Sequence, residues 1–169
     1  LAQMEQSLNS HDKKNLGIDF KLLAFNHLQF YGQFLLDEFT AKNFFSNNGY
    51  WGNKWGLQLG FKYFDVANIK NLDWQTELNI TRPYTYSHFD TFYSSNYTNY
   101  NQPLANPLGA NFSQLISKVK FRLLKNLTCA FSFSYYFQGV DSSNSDFGSN
   151  IYLSYNNRPQ DYNVRIGNG

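Results

Sequence analysis

Leu127-Thr128-Cys129-Ala130-Phe131-Ser132-Phe133-Ser134-Tyr135-Tyr136-Phe137-Gln138 decides how the rest of the chain is read. Leu127, Cys129, Phe131, Phe133, Tyr135 and Phe137 share one side of a period of two, and Thr128, Ala130, Ser132, Ser134 and Gln138 share the other. Successive side chains of an extended strand point to opposite faces, so the run reads as a strand with one apolar and one polar face. Five earlier runs repeat the pattern. Leu16, Ile18, Phe20, Leu22 and Ala24 alternate with Gly17, Asp19 and Lys21. Leu28, Phe30, Phe34 and Leu36 alternate with His27, Gln29, Tyr31, Gln33 and Asp37. Trp55, Leu57, Leu59, Phe61 and Tyr63 oppose Gly56, Gln58, Gly60 and Lys62, and Leu72, Trp74, Leu78 and Ile80 oppose Asp73, Gln75, Glu77 and Asn79. Leu115, Val119, Phe121 and Leu123 oppose Gln114, Lys118, Lys120 and Arg122. Ile151, Leu153 and Tyr155 make a seventh, shorter run.

The links between the runs alternate in length. Short ones lie near Asn26, at 65–71 and at Lys125-Asn126; long ones cover 38–54, 83–111 and the stretch after Gln138. Loops inside a compact soluble domain are usually about 4–6 residues, whereas outer-membrane barrels pair short periplasmic turns with long extracellular loops. A β-sandwich also alternates, but its strands cluster near 5–6 residues. Runs of about 10 tilted residues match the roughly 25 Å apolar band of a barrel. Tyr31, Trp55, Tyr63, Trp74, Tyr135, Tyr136 and Phe137 gather near run ends, where amphipathic rings favour the lipid–water boundary. The fold expected is therefore all-β: an antiparallel up-and-down transmembrane β-barrel, with Leu1–Asn15 as an irregular extracellular-side loop segment and 16–169 as part of one barrel domain.

Composition excludes other classes. Aromatics are 20% and charged residues 15% of the 169 residues, unlike a disordered tail. One Cys allows no intramolecular disulfide, and a net charge of +2 gives no clustered basic footprint for nucleic acid. No apolar stretch approaches the ~20 residues of a membrane-spanning helix. The start at Leu1, the turn-like end at Ile166-Gly167-Asn168-Gly169 and an odd count of about seven strands together suggest part of a larger barrel, since single-chain barrels close with even numbers.

Catalytic and metal constellations are absent from the pattern. His11, His27 and His88 lack ligand spacing, so no metal or other cofactor is expected. Cys129 sits in register with Leu127 and Phe131 as a small lipid-facing residue. No G-x-S-x-G elbow occurs, Gly56 and Gly60 read as strand glycines beside large rings, and the Asn-x-Ser/Thr matches at Asn79, Asn96, Asn111 and Asn126 arise by chance in an Asn-rich chain. The distinctive segment runs Arg82-Pro83-Tyr84-Thr85-Tyr86-Ser87-His88-Phe89-Asp90, through Tyr93, Tyr97 and Tyr100, to Gln102 and Pro107-Leu108-Gly109. Rings with polar rims set among amides suit stacking and hydrogen bonding to sugars, which makes Arg82, Tyr84, Tyr86, His88, Asp90, Tyr93, Tyr97, Tyr100 and Gln102 the candidate glycan- or partner-binding loop. The same mixture also builds compact surface loops that roof a barrel.

Arg82-Pro83-Tyr84-x-Tyr86-x-His88, Asn99-Tyr100-Asn101-Gln102-Pro103-Leu104 and Pro107-Leu108-Gly109 resemble the Wzi-like capsule-assembly outer-membrane barrels, most nearly the RemB-like gliding-motility branch of Bacteroidota. Trp51–Gly60 and Tyr155-Asn156-Asn157-Arg158-Pro159-Gln160-Asp161-Tyr162 are similar to that branch as well. The resemblance implies a larger monomeric barrel of about 18 strands, of which this chain is a later portion, and a lectin that holds capsular polysaccharide at the cell surface. The Pro-Leu-Gly element of that family is commonly followed by His, whereas Ala110-Asn111 follow here, so only the segment and no catalytic role carries over. The expectation is a Gram-negative outer-membrane protein without enzymatic activity. Its partners are the lipid bilayer and lipopolysaccharide, together with surface polysaccharide or other outer-membrane proteins of a complex. A structural barrel subunit of a secretion, motility or uptake complex, an outer-membrane hydrolase and a soluble lectin-like sandwich are the competing readings.

Overall fold

A computed structural model describes residues 15–38, 41–89, 98–100, 102–103 and 105–169. The expected irregular segment at the start falls on residues that, but for Asn15, lie outside these. Six long strands follow one another: β1 (Leu16–Ala24), β2 (Leu28–Glu38), β3 (Lys54–Tyr63), β4 (Leu72–Thr81), then β7 (Phe112–Leu124) and β8 (Leu127–Gln138). Between β4 and β7 lies a small hairpin of β5 (Thr98–Asn99) and β6 (Gln102–Pro103). A one-turn helix at Ala41–Phe45 is the only α-helix among the described residues. The six long strands form one antiparallel up-and-down sheet in the order β1-β2-β3-β4-β7-β8, and β1 does not pair with β8, so the sheet is not closed.

Each tight link follows from its residues. Phe25 and Asn26 both take left-handed backbone angles between the paired Ala24 and Leu28, a geometry that Asn tolerates better than most side chains. Lys125-Asn126 joins Leu124 to its partner Leu127. These links put His27 in the β1–β2 turn, where its carbonyl accepts the Phe64 N–H, rather than on a polar strand face.

Antiparallel partners share a face, so the register carries the alternation of each strand across the whole sheet. Phe20, Gly32, Leu59, Leu78, Leu115 and Tyr135 form one row through all six strands, and Ile18, Phe34, Leu57, Ile80, Ser113 and Phe137 form another. Nothing among the described residues covers this apolar face: Ile18, Phe20, Leu59, Leu115 and Tyr135 are exposed, and Phe131 is 72% exposed. Three of its polar members are paired locally: Trp74 Nε1 donates to Ser117 Oγ at 3.0 Å, and Thr76 Oγ1 lies 3.3 Å from the same oxygen. Rings mark both ends of the face, with Phe34 against Trp55 at one end and Phe61 edge-on to Trp74 at 5.0 Å at the other. Tyr31 and Tyr136 instead share the opposite, polar face with Gly60 and Gln114, so they belong to no boundary belt.

The expected seventh strand is not one. Ile151 is buried, and Tyr155–Asn157 form a 3-10 turn. Asn150 Oδ1 accepts the Tyr152 N–H, and Ser154 Oγ accepts the Asn156 N–H. Such local side-chain bonds offer the backbone an alternative to a sheet ladder, and here they prevail over three alternating apolar residues. Among the described residues the buried ones inside the sheet, such as Asp37, Lys54, Thr81 and Phe112, stand mostly at strand ends, and the others lie beyond it. They gather where the long connections after β2, β4 and β8 meet at one end.

Candidate functional site

The cap at that end is built on the strand ends. Pro83 has no N–H for the ladder, and β4 stops at Thr81. Arg82 prolongs the pairing by one bond, its N–H reaching Trp55 O at 3.0 Å. The next residues fold inward. Tyr84 and Tyr86 both adopt positive φ, and the Tyr86 N–H donates to Asp37 Oδ2, at the end of β2, at 2.8 Å. Tyr84 is 1% exposed; its N–H donates to Gly148 O and its hydroxyl to Asp146 O at 2.7 Å. Gly148 has φ +79°, and a Cβ there would strike Tyr84, so only glycine lets the two segments touch.

Asn111, fully buried, ties the cap to the third connection. Its Nδ2 donates to Phe147 O at 3.0 Å and Asn168 O at 2.9 Å, while its Oδ1 accepts the Gly167 N–H at 2.7 Å. Arg82 Nη2 donates to Tyr50 O and Val164 O, and burial pushes its guanidinium below the usual range. Burial also drives the Tyr84 hydroxyl above its ordinary value, with the carboxylates of Asp146 and Asp141 adding to the effect. Beside these lies a cation–aromatic group: Trp51 and Tyr155 are 4.7 Å apart, Lys54 Nζ is 4.1 Å from the Tyr155 centroid, and the Arg158 guanidinium is 4.1 Å from that of Trp51. The chain's own cations thus occupy these ring faces.

Beneath the cap, the polar face opens into a cavity of about 680 Å³. Its floor is a cross-strand row of carboxamides, Gln33, Gln58, Asn79 and Gln114, one from each of β2, β3, β4 and β7. Glu77, Thr81 and Tyr86 line it as well, and Ala105–Leu108 roof it. Gln138 Nε2 holds the roof by donating to Leu108 O at 2.6 Å, and Asn106 Oδ1 accepts the Leu108 N–H. Glu77 is fixed by Tyr31 Oη at 2.8 Å and by Asn79 Nδ2 at 2.9 Å. Carboxamides present donors and acceptors side by side without charge, a lining suited to polyhydroxylated ligands, and the volume is that of a small-molecule site.

The loop residues expected to bind part company. Arg82, Tyr84 and Tyr86 come together in the cap, where Tyr84 and Tyr86 are buried and only Tyr86 reaches the cavity. His88 is half-buried with its ring 4.2 Å from that of Phe89. Tyr100 is 94% exposed at the tip of the small hairpin, in which Gln102 pairs with Asn99. Asp90, Tyr93 and Tyr97 lie outside the described residues. Sequence reasoning missed the carboxamide row, because its members are neighbours only once four strands are in register. It missed Asn111 because an Asn between Ala110 and Phe112 carries no mark of its partners 36 and 57 residues away. No three His, Cys, Asp or Glu side chains among the described residues are placed to hold a metal ion.

No family model, curated protein or solved structure matches the chain.

Proposed function

We propose that the chain is part of a Gram-negative outer-membrane β-barrel of the Wzi/RemB-like type, with the apolar face toward lipid and lipopolysaccharide, the polar face toward a hydrated interior and the cap outside the cell. The observation that carries this reading is the apolar face itself, continuous in register across six strands and uncovered. Water-soluble monomers rarely leave more than a few hundred Å² of contiguous apolar surface exposed. Hydrocarbon is the solvent in which such a face costs nothing, provided the backbone is satisfied along every ladder. In this role the carboxamide-floored cavity and the exposed Tyr100 hairpin engage surface polysaccharide, and the chain performs no catalytic step.

A second reading draws on the buried Tyr84 and Tyr86. A cap that spends its tyrosines on internal packing also suits a rigid scaffold whose contacts are neighbouring outer-membrane proteins of a secretion, motility or uptake complex. The first test is membrane fractionation of the full-length protein combined with a heat-modifiability gel in detergent. A fast-migrating unboiled band from the outer-membrane fraction is the expected result. A soluble protein without a mobility shift overturns the barrel. Titration with isolated surface polysaccharide then separates the two roles, since tryptophan and tyrosine emission changes only if the cap binds glycan.

A further inference from the structure

Toward the short-turn end of the polar face, well away from the cap, lies a second cavity of about 340 Å³. Lys62, Lys118 and Lys120 line it, with Phe64 and Asp73. The register explains the hollow. Lys118 faces Ser132 and Lys120 faces Ala130, so two of the longest side chains stand beside two of the smallest. Gln75 pairs with Lys62 on one side and with Lys118 on the other, which sets the third lysine in the same row.

One carboxylate, Asp73, lines the cavity directly opposite Lys120, so three lysines face a single aspartate there. Glu77 accepts hydrogen bonds from Tyr31 and Asn79, and Asp73 Oδ1 accepts the Asp65 N–H of the β3–β4 link at 3.4 Å. Among the described residues none of the three lysines forms a salt bridge; Lys62 Nζ lies 5.6 Å from the Tyr31 ring centroid. Like charges on neighbouring strand positions repel, and that repulsion is relieved by an anion placed among them.

We infer that this cavity binds a multivalent oxyanion of the phosphate type, carried by a water-soluble molecule. Three ammonium groups supply charge-assisted hydrogen bonds, and the Ala130–Ser132 hollow supplies room for the oxygens. A free solute is favoured over a lipid headgroup because Lys62, Lys118, Lys120 and Ala130 all stand on the polar face by register, opposite the apolar surface. The inference goes beyond the barrel reading and stands apart from it: a chain that proved soluble would keep the anion site.

Calorimetric titration of the folded chain with inorganic pyrophosphate, against sodium chloride at equal ionic strength, tests it. One site is expected, weakened about tenfold or more in the K118Q/K120Q double variant, the loss of one to two charge-assisted bonds. K21Q, on the same face at β1, should change affinity by less than about twofold, as a rim charge would. A130L keeps every charge and fills the hollow; it should also abolish binding, and it decides the matter if the double variant fails to fold. Undiminished affinity in A130L or in K118Q/K120Q, or binding no tighter than chloride, overturns the site. Anionic vesicles form the last arm: binding heat with vesicles but none with pyrophosphate would assign the lysines to a membrane surface and overturn the solute.

Discussion

Asp146 is a carboxyl group in a place that disfavours its charge. It is 3% exposed, and burial, followed by the neighbouring Asp141, pushes its pKa up to about 6 from 3.8, while the Gly148 N–H on Oδ1 pulls the other way. Tyr84 and Asp141 are the titratable groups that interact with it across the cap. An acid whose pKa rises on folding takes up a proton as it folds. Its contribution to stability is therefore complete below about pH 4 and lost as pH rises through about 6. The cap should resist proteolysis better at pH 5 than at pH 8, and Asp146→Asn should abolish that difference by stabilising the protein at pH 8, by about 1–3 kcal/mol in thermal unfolding. Nothing in Asp141-Ser142-Ser143-Asn144-Ser145-Asp146 announces this, because a run of small polar residues reads as a solvated turn until other segments bury it.

At the scale of strands, Gly60 and Tyr31 show what the alternation conveys and what it omits. Both fall on the polar side of their runs, and that much is local. Pairing across β2 and β3 then sets them face to face, and a Cβ on Gly60 would strike the Tyr31 ring. The missing side chain lets the ring lie over the strand, where its hydroxyl donates to Glu77 and accepts from Gln75 at 2.8 Å. Gly60→Val should expel the ring, break both bonds and destabilise the sheet by about 1–3 kcal/mol, measured as a lower temperature for the heat-modifiable transition. Gly17→Val, at a position where the added Cβ meets only Leu35 at 3.9 Å, should have a much smaller effect. Six runs were legible because a period of two is a property of adjacent residues. The seventh failed because Ser154 and Asn150 offered its backbone nearer partners than any strand.

For the whole molecule, the two faces of the sheet make opposite demands on their surroundings. In a Cys129→Ser background, Phe133→Cys and Ser134→Cys place a thiol on the apolar and the polar face of the same strand, opposite Ser117 and Ile116 respectively. Reconstituted into vesicles, the Ser134→Cys variant should react with a membrane-impermeant maleimide and the Phe133→Cys variant should not. In denaturant both should react alike. Equal protection of the two thiols, or equal reaction, would mean that the faces meet the same medium, and the lipid-facing assignment would fall.

The sequence by itself determined the strands, their apolar and polar sides and the alternation of short and long links, because each of these depends on residues a few positions apart. Tight links such as Lys125-Asn126 also carried the pairing of neighbouring strands. The tertiary structure alone decided where the buried residues lie. Tyr84, Asn111 and Asp146 become a core only when three long connections converge, and the bonds that hold them run to backbone groups dozens of residues away. Hydrophobic patterning does not reveal such a core, because its apolar members Tyr86, Ala110 and Ile151 come from separate connections and it is tied together by hydrogen bonds of buried polar groups. For the same reason the carboxamide row and the lysine hollow were invisible until register placed their members side by side.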